Sequence, residues 1–540
     1  MSYDLIIKGG KIVDGKGNPW YTADVGIKNG KVEKISYTIN DDASEIIDAK
    51  SFIVCPGFID IHSHTDFVLP FYTKMDTAIK QGITTSVVGM CGDGLAPIPK
   101  EKVEIFKRHF TTLMPIDADL PVNWSTFSEY LNEIEKQKIT GNLAFFVGYG
   151  AIRIAGGPVH ENRDPTPQEM NSMKELLREA MEAGAFGMST GLIYAPQVYA
   201  KTEELIDLMK TVAEYDGMYF SHIRSEGDYL IEALKEFIEI VEKSGCVAGE
   251  IAHHKAASKS VYGKTFETLE LIAKANERGI NITCDSYPYT RGMTSLITVL
   301  PPWVREGGKD KIIERLKDKD LRERIIRDTS EGIESWENWI KNLGFQNIFI
   351  THVKSEKWKD VEGKNISDIT KIKGKQNDWQ TLFELLIDED AGVPITIESQ
   401  KEEDVRRIMK SRYQMFGTDG IGSPHIKGSK TLHPRCYGTY PRIIDKYVKS
   451  EKLLTLEEAI RKMSSFPAQI LRLNDRGIIQ ENCWADIVIF DYDKIKDKGT
   501  YEDPHQFPEG INYVIVNGVV VVKNGKQLRK YPGKVLRKAL

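Results

Sequence analysis

The chain has 540 residues, 41% hydrophobic and 28% charged, with a net charge of −5. That length exceeds what one core usually fills, so more than one domain is expected, in a protein of ordinary globular composition. The mildly acidic balance excludes the basic field that nucleic acid or an anionic membrane would require. Six cysteines without a CxxC or a regular spacing do not form a disulfide framework. The opening "MSYDLIIKGG" has no charged segment leading into an apolar core, so no signal peptide is expected. Apolar runs such as "VIVNGVVVV" fall far short of a bilayer span, and a cytoplasmic location is expected.

The first 55 residues read as short β-branched runs separated by Gly and Asn turns, "DLIIKGGKIVDGKG" and "ADVGIKNGKVEKIS". From residue 56 the pattern changes to strand followed by helix. Candidate strands are 58–65, 84–92, 142–150, 185–191, 218–223, 247–255, 281–287 and 414–420. Between them, "TPQEMNSMKELLREAMEAG" carries Thr166 at the N-cap, Pro167 at N1, Glu169 at N3 and Gly184 past the end. Its Met170, Met173, Leu177, Ala180 and Met181 form one apolar stripe, a core face. The stretch 290–390 is too long for one crossover and has its own strands, "NIFITHV" and "PITIES", and a charged helical stretch around 308–328. After about residue 470 the hairpin pattern returns in "ADIVIFD" and "INYVIVNGVVVVKNGK". Eight near-continuous apolar strands alternating with helices predict a (β/α)8 barrel, a TIM barrel of α/β class, over 56–469. A small β-sandwich domain assembled from 1–55 and 470–540 frames it, and the insertion at about 290–390 lies over its mouth.

In such a barrel the chemistry sits at the C-terminal ends of the strands. Strand one ends in His62 and His64, two apart and so on one face of a strand. Strand two ends in Cys91, strand five in His222, and strand six in His253, His254 and Lys255. Strand seven ends in Asp285 and Tyr287, and strand eight in Asp419. Taken singly, each of these histidines reads as a hydrogen-bonded core or rim residue, and Cys91 as a small buried apolar one. Jointly, five of the chain's 11 histidines with a thiol and a carboxylate at one mouth form a ligand set for a borderline-soft divalent ion, Zn²⁺ first.

These positions, the HxH after "PGFID", single histidines on strands five and six and the closing aspartate, resemble the amidohydrolase superfamily. "VVGMCGDGLAP", "GMSTGLIYAP", "HHK" with "DSYPY", and "FGTDG" followed by "HPRCYGTYPR" are similar to its D-aminoacylase (N-acyl-D-amino-acid deacylase) branch over essentially the whole chain. The resemblance implies a tight zinc site at Cys91, His222 and His253 and a second, weaker metal position at His62, His64 and Asp419. It implies that Lys255, Tyr287 and Arg435 grip the substrate carboxylate and that Tyr194 lines the pocket. The implied activity is hydrolysis of an N-acyl-D-amino acid to a carboxylic acid and a free D-amino acid. Water activated by the metal attacks, and Asp419 serves as general base and then acid. The partner is a small molecule, not nucleic acid or membrane, and a homo-oligomer is compatible with everything above.

His254, next to a ligand, points away in this scheme, and His425 and His433 fall in loops without a ligand role. The G-x-S-x-G match at 187–191, "GMSTG", falls within a candidate strand rather than on a strand-to-helix elbow, so Ser189 and Cys284 read as strand packing rather than nucleophiles. The alternative substrates are a cyclic amide or another, xenobiotic amide; strand four lacks the lysine that bridges two metals in hydantoinase-like and dihydroorotase-like relatives, which argues against the cyclic amide. A ligand-free scaffolding role disagrees with the complete donor set. Two features depart from the branch. Met293, with Arg291 beside it, stands where a carboxylate-binding serine is usual, and the stretch between Asp419 and "HPR" is longer than usual.

Overall fold

The computed structural model describes residues 2–113, 120–423 and 432–539. Eight parallel strands follow one another around a central core: Phe58–Asp60, Ile83–Val88, Asn142–Phe145 continued by Val147–Gly148, and Gly187–Gly191, then Met218–His222, Gly249–Ile251, Ile282–Ser286 and Gln414–Phe416. Strand eight returns to strand one, where Asp419 N donates to His62 O at 2.8 Å and Thr418 N to Asp60 Oδ1 at 2.8 Å. The interior is filled by Ile59, Val87, Ala144, Phe220 and Met415 from five of the strands, with Ala252 just past strand six, in the manner of a (β/α)8 barrel. Phe466, Ile470 and Leu471 join this cluster from the helix Ser465–Ile470 and its C-cap.

The helix after strand three shows why these segments are helical. Pro167–Glu182 opens on Thr166, whose hydroxyl accepts from Glu169 N while Glu169 reaches back to Thr166 N. Met173, Leu177, Ala180 and Met181 are buried along one stripe, and Gly184 follows at φ 102°.

Strands from the two ends of the chain share one nine-stranded sheet, joined where Ile53–Pro56 pairs antiparallel with Ile487–Phe490. Alternating residues, Leu5, Ile7, Val25, Ile27, Ile487 and Ile489, bury one face of it. The last short strand, Val535–Leu536, leaves this sheet and runs parallel to Leu143 and Ala144 of barrel strand three. The segment between barrel strands seven and eight carries a three-stranded antiparallel sheet, Arg291–Ser295, Pro394–Glu398 and Ile348–Ile350. Helices that include Lys309–Lys317 and Lys319–Glu331 cover it, and Leu316, Ile350, Trp358 and Leu386 make its separate core. Among the described residues no helix is long and apolar enough to cross a membrane.

Candidate metal centre

Every barrel strand that carries a candidate ligand ends earlier than the apolar pattern predicts, strand five by a single residue so that His222 still lies within it. Strand two stops at Val88, three residues short of Cys91, strand six at Ile251, and strand eight at Phe416. The candidate donors Cys91, His253 and Asp419 have φ of 54°, 33° and 49°, in the left-handed region that non-glycine residues rarely adopt. Such conformations cost on the order of 1–3 kcal/mol each and persist only where the surroundings enforce them. At Cys91 the enforcement is visible. Gln197 Nε2 donates to Cys91 O at 3.0 Å and Gly92 N to Ser189 Oγ at 3.0 Å. A Cβ at Gly92, φ 73°, would lie 1.8 Å from Gln197 Oε1, so the turn admits only glycine.

These turns bring the side chains into overlapping groups at one barrel mouth. Cys91 Sγ lies 3.4 Å from His62 Nε2 and 3.6 Å from His253 Nε2. Asp419 Oδ1 lies 3.5 Å from His62 Nε2 and 3.2 Å from His64 Nε2. His222, whose ring meets that of His253 edge-on at 4.4 Å, gathers with His253 and Glu226. Three overlapping clusters result: His62, Cys91 and His253; His62, His64 and Asp419; His222, Glu226 and His253. All the candidate donors are buried. His254 turns away, its Nε2 2.7 Å from Thr268 Oγ1.

Side chains behind the donors set the tautomers. His62 Nδ1 donates to Asp285 Oδ2 at 3.1 Å and His253 Nδ1 to Glu226 Oε1 at 2.9 Å. The Asp285 bond leaves His62 Nε2 as the lone-pair nitrogen facing the cluster, the arrangement that metal-binding histidines require, whereas His253 Nδ1 meets both Glu226 Oε1 and, at 2.7 Å, Lys255 Nζ. Lys255 Nζ shares the same Glu226 oxygen at 2.5 Å. Glu226 and Asp285 therefore matter as much as the donors, although only Asp285 stands at a predicted strand end.

The electrostatics agree with a cation-binding purpose. Burial raises the Asp419 carboxyl, but Arg435, then His253 and His62, outweigh it and hold the group well below the usual carboxylate range. Burial, followed by the charge of Asp419, pushes the Cys91 thiol up, and burial holds His222 and His253 well below the usual imidazole range. Both ring nitrogens of buried His222 and Nδ1 of His64 have no hydrogen-bond partner. Orphaned imidazole nitrogens beside a thiol and a carboxylate fit a zinc ion, which takes S, N and O donors and would hold Cys91 as thiolate.

The match to known proteins follows this geometry. The model of the Amidohydrolase family matches residues 45–522. The chain belongs to the amidohydrolase family. It is 31% identical to an N-acyl-D-glutamate deacylase of Alcaligenes xylosoxydans xylosoxydans, over 99% of this chain and 96% of that protein. Its fold superposes with a TM-score of 0.83 and 30% identity on an N-acyl-D-glutamate deacylase of Bordetella bronchiseptica complexed with zinc and a phosphonate mimic of the reaction's tetrahedral intermediate, covering 99% and 100% of the two chains. A D-aminoacylase structure with a binuclear metal centre, of one-metal activation and second-metal attenuation, superposes at 0.81 and 29% identity over 99% and 100%.

In this amidohydrolase the space above the donors is divided into two small cavities, of about 60 and about 40 Å³. Tyr194, Met293, Thr294 and Asp419 line both, and Thr294 Oγ1 donates to Tyr194 OH at 3.2 Å. Arg435 opens on the first and Lys255 and Tyr287 on the second. Arg435 NH1 lies 2.7 Å from Asp419 Oδ2 and its guanidinium sits 4.8 Å from the Tyr287 ring. The loop residue His433 is fully buried, and its Nδ1 accepts from Arg435 N at 2.9 Å, fixing the start of the helix Arg435–Arg442. Arg291 adds no charge to either cavity. It pairs with Glu398 at 2.7 Å and lies against Phe349 and Tyr501. His425 falls outside the described residues. A cavity of about 810 Å³ at the other end of the barrel, lined by Phe186, Asp216 and Arg537, contains none of the candidate donors.

Proposed function

We propose that the chain is a zinc-dependent deacylase that hydrolyses N-acyl-D-amino acids to a carboxylic acid and a free D-amino acid. The observation that carries this reading is the run of close approaches at one barrel mouth, Cys91 Sγ to His62 and His253 and His62 in turn to Asp419. The relatives named deacylases, aligned over nearly the whole chain, supply the substrate class. We assign Cys91, His222 and His253 to one tight zinc site, and His62, His64 and Asp419 to a second, weaker position, although in the structure Cys91 groups with His62 and His253, and His222 with His253 and Glu226. The binuclear centre of the D-aminoacylase relative supports two positions. Residues 1–55 and 470–540 form the β domain in this reading, and 56–469 the catalytic barrel with its insertion at about 290–390. Six free, buried cysteines suit a reducing, cytoplasmic setting.

Zinc held there supplies Lewis acidity, polarising an amide carbonyl and acidifying water. The chain does the rest. Asp419, kept ionised by Arg435, takes the proton of the attacking water and returns it to the departing nitrogen. Lys255, Arg435 and Tyr287 bind and orient the substrate carboxylate, Arg435 through its planar fork. Tyr194 walls the pocket and keeps water out of it. Strand four, "GMSTG", offers no lysine to bridge metals, which disfavours a cyclic amide as substrate.

The test is a substrate panel on one zinc-loaded preparation: N-acetyl-D-amino acids, their L-enantiomers, and hydantoin and dihydroorotate. Turnover confined to the D-series supports the proposal. Faster hydrolysis of the cyclic compounds would reject it.

A further inference from the structure

The insertion carries a buried carboxyl that the chemistry above does not use. Glu337 lies just before the helix Trp339–Leu343. Its Oε2 accepts from Glu226 N at 3.1 Å and its Oε1 from Trp339 Nε1 at 2.6 Å. Glu226 belongs to the turn after strand five, outside any helix or strand, so contacts from elsewhere must fix it. Two backbone bonds do so: Glu337 holds its N–H, and its C=O accepts from Ala257 N at 2.8 Å. From that fixed backbone the Glu226 side chain takes His253 Nδ1 and Lys255 Nζ on one oxygen, while the other lies 3.8 Å from His222 Nε2. Trp339 itself lines the cavity that holds Lys255 and Tyr287. One line of contacts therefore runs from the insertion to two candidate zinc ligands and a substrate-binding ammonium.

We propose that Glu337 is a positioning residue: by pinning the Glu226 backbone it sets the aim of His253 and Lys255. The metal site then reaches full affinity only with the insertion seated on the barrel. Without the Glu337 acceptor a buried N–H is left unpaired, and the turn relaxes to satisfy it. Glu226 moves with the turn, and the imidazole it orients loses its alignment. The inference rests on the reading that His222 and His253 hold zinc.

Three variants test it, E337A, E337Q and N338A, with zinc affinity read by chelator competition, the visible spectrum of the cobalt-substituted enzyme, and kcat and KM. Supporting-residue changes typically weaken a metal site on the order of 10-fold or more, so E337A is expected to lose about 10-fold in zinc affinity and shift the cobalt spectrum. Far-UV circular dichroism should stay unchanged. E337Q keeps an acceptor and should remain within about twofold. Asn338 caps the same helix through Lys341 N and donates to Thr329 O, but does not touch Glu226, so N338A should bind zinc as wild type does. Unchanged zinc affinity in E337A, or an equal loss in N338A, would overturn the proposal. If E337A yields no folded protein, E337D decides, because shortening the side chain by one methylene draws the acceptor away from Glu226 N while keeping the carboxylate: unchanged zinc affinity there also overturns it. Wild-type protein that binds zinc yet hydrolyses no N-acyl-D-amino acid would instead reject the function proposed above and leave this inference standing.

Discussion

Cys91→Ala separates the metal reading from a purely structural one. The sulfur is buried and lies 3.4 and 3.6 Å from two imidazole nitrogens. Removing one buried sulfur costs the fold on the order of 1 kcal/mol. Alanine tolerates φ 54° about as cysteine does, so the turn has no new reason to rearrange. The folded protein should therefore survive. A four-ligand zinc site is worth about 10–16 kcal/mol, so one donor accounts for about 3 kcal/mol, or roughly 100-fold in affinity. After dialysis against a competing chelator, wild type should retain zinc and C91A should not. Turnover of an N-acetyl-D-amino acid should fall with the metal. The measurements are zinc per chain by atomic emission, unfolding midpoint in urea, and turnover on the same samples. A C91A protein with one zinc per chain and near-normal turnover would refute the assignment. One that lost zinc only because it had unfolded would show that in the urea midpoint.

Asp419→Asn removes the proposed base while preserving size, and kcat should fall by about 10²–10⁴ with zinc retained at the Cys91 site. Arg435→Met removes the guanidinium that depresses the Asp419 carboxyl. The acid limb of the kcat/KM profile should move to higher pH and KM should rise; an unmoved limb would separate Asp419 from that limb. Glu337 bears on stability. Burial, then the charge of Glu226, pushes its carboxyl from the ordinary 4.5 up to about 8. A raised folded-state pKa means that the stabilisation is complete below 4.5 and is lost as pH rises through 8. Relative to E337Q, which cannot ionise, wild type should lose at most about 5 kcal/mol across that window. A wild-type minus E337Q difference flat from pH 4.5 to 8 would contradict this.

The barrel was legible because its strands are near-continuous apolar runs and the intervening helices carry caps, as at Thr166 and Gly184. Strand ends were less legible. The apolar pattern continues through "VVGMCG" and "GEIAHH", but the backbone leaves the ladder before Cys91 and His253 and turns left-handed there. Side-chain hydropathy contains no signal for that turn, because Met90, Cys91 and Ala252 would be equally at home in a strand. Pro394–Glu398 and Ile348–Ile350 were visible as strands, whereas their antiparallel pairing with Arg291–Ser295 depends on register that only the folded insertion sets.

For the site, legibility followed the donor chemistry. Histidine, cysteine and aspartate at strand ends stand out because those side chains are rare in apolar runs. The groups that orient them do not. Glu226 follows His222 by four residues, but in a turn rather than a helix, so the spacing carries no geometric meaning. Glu337 lies 111 residues from the backbone it holds. Arg291 shows the converse. Its sequence position beside Met293 adds a charge to the pocket, yet Glu398, Phe349 and Tyr501 draw it away, so the serine's place is taken by an uncharged thioether. In the proposed function the grip on a substrate carboxylate therefore falls to Lys255, Tyr287 and Arg435. Two of these already hold internal carboxylates, Glu226 and Asp419. On the proposed assignment a substrate carboxylate would share those cations rather than find them free, which would tie its binding to Glu226, which contacts His253, and to Asp419, the proposed base.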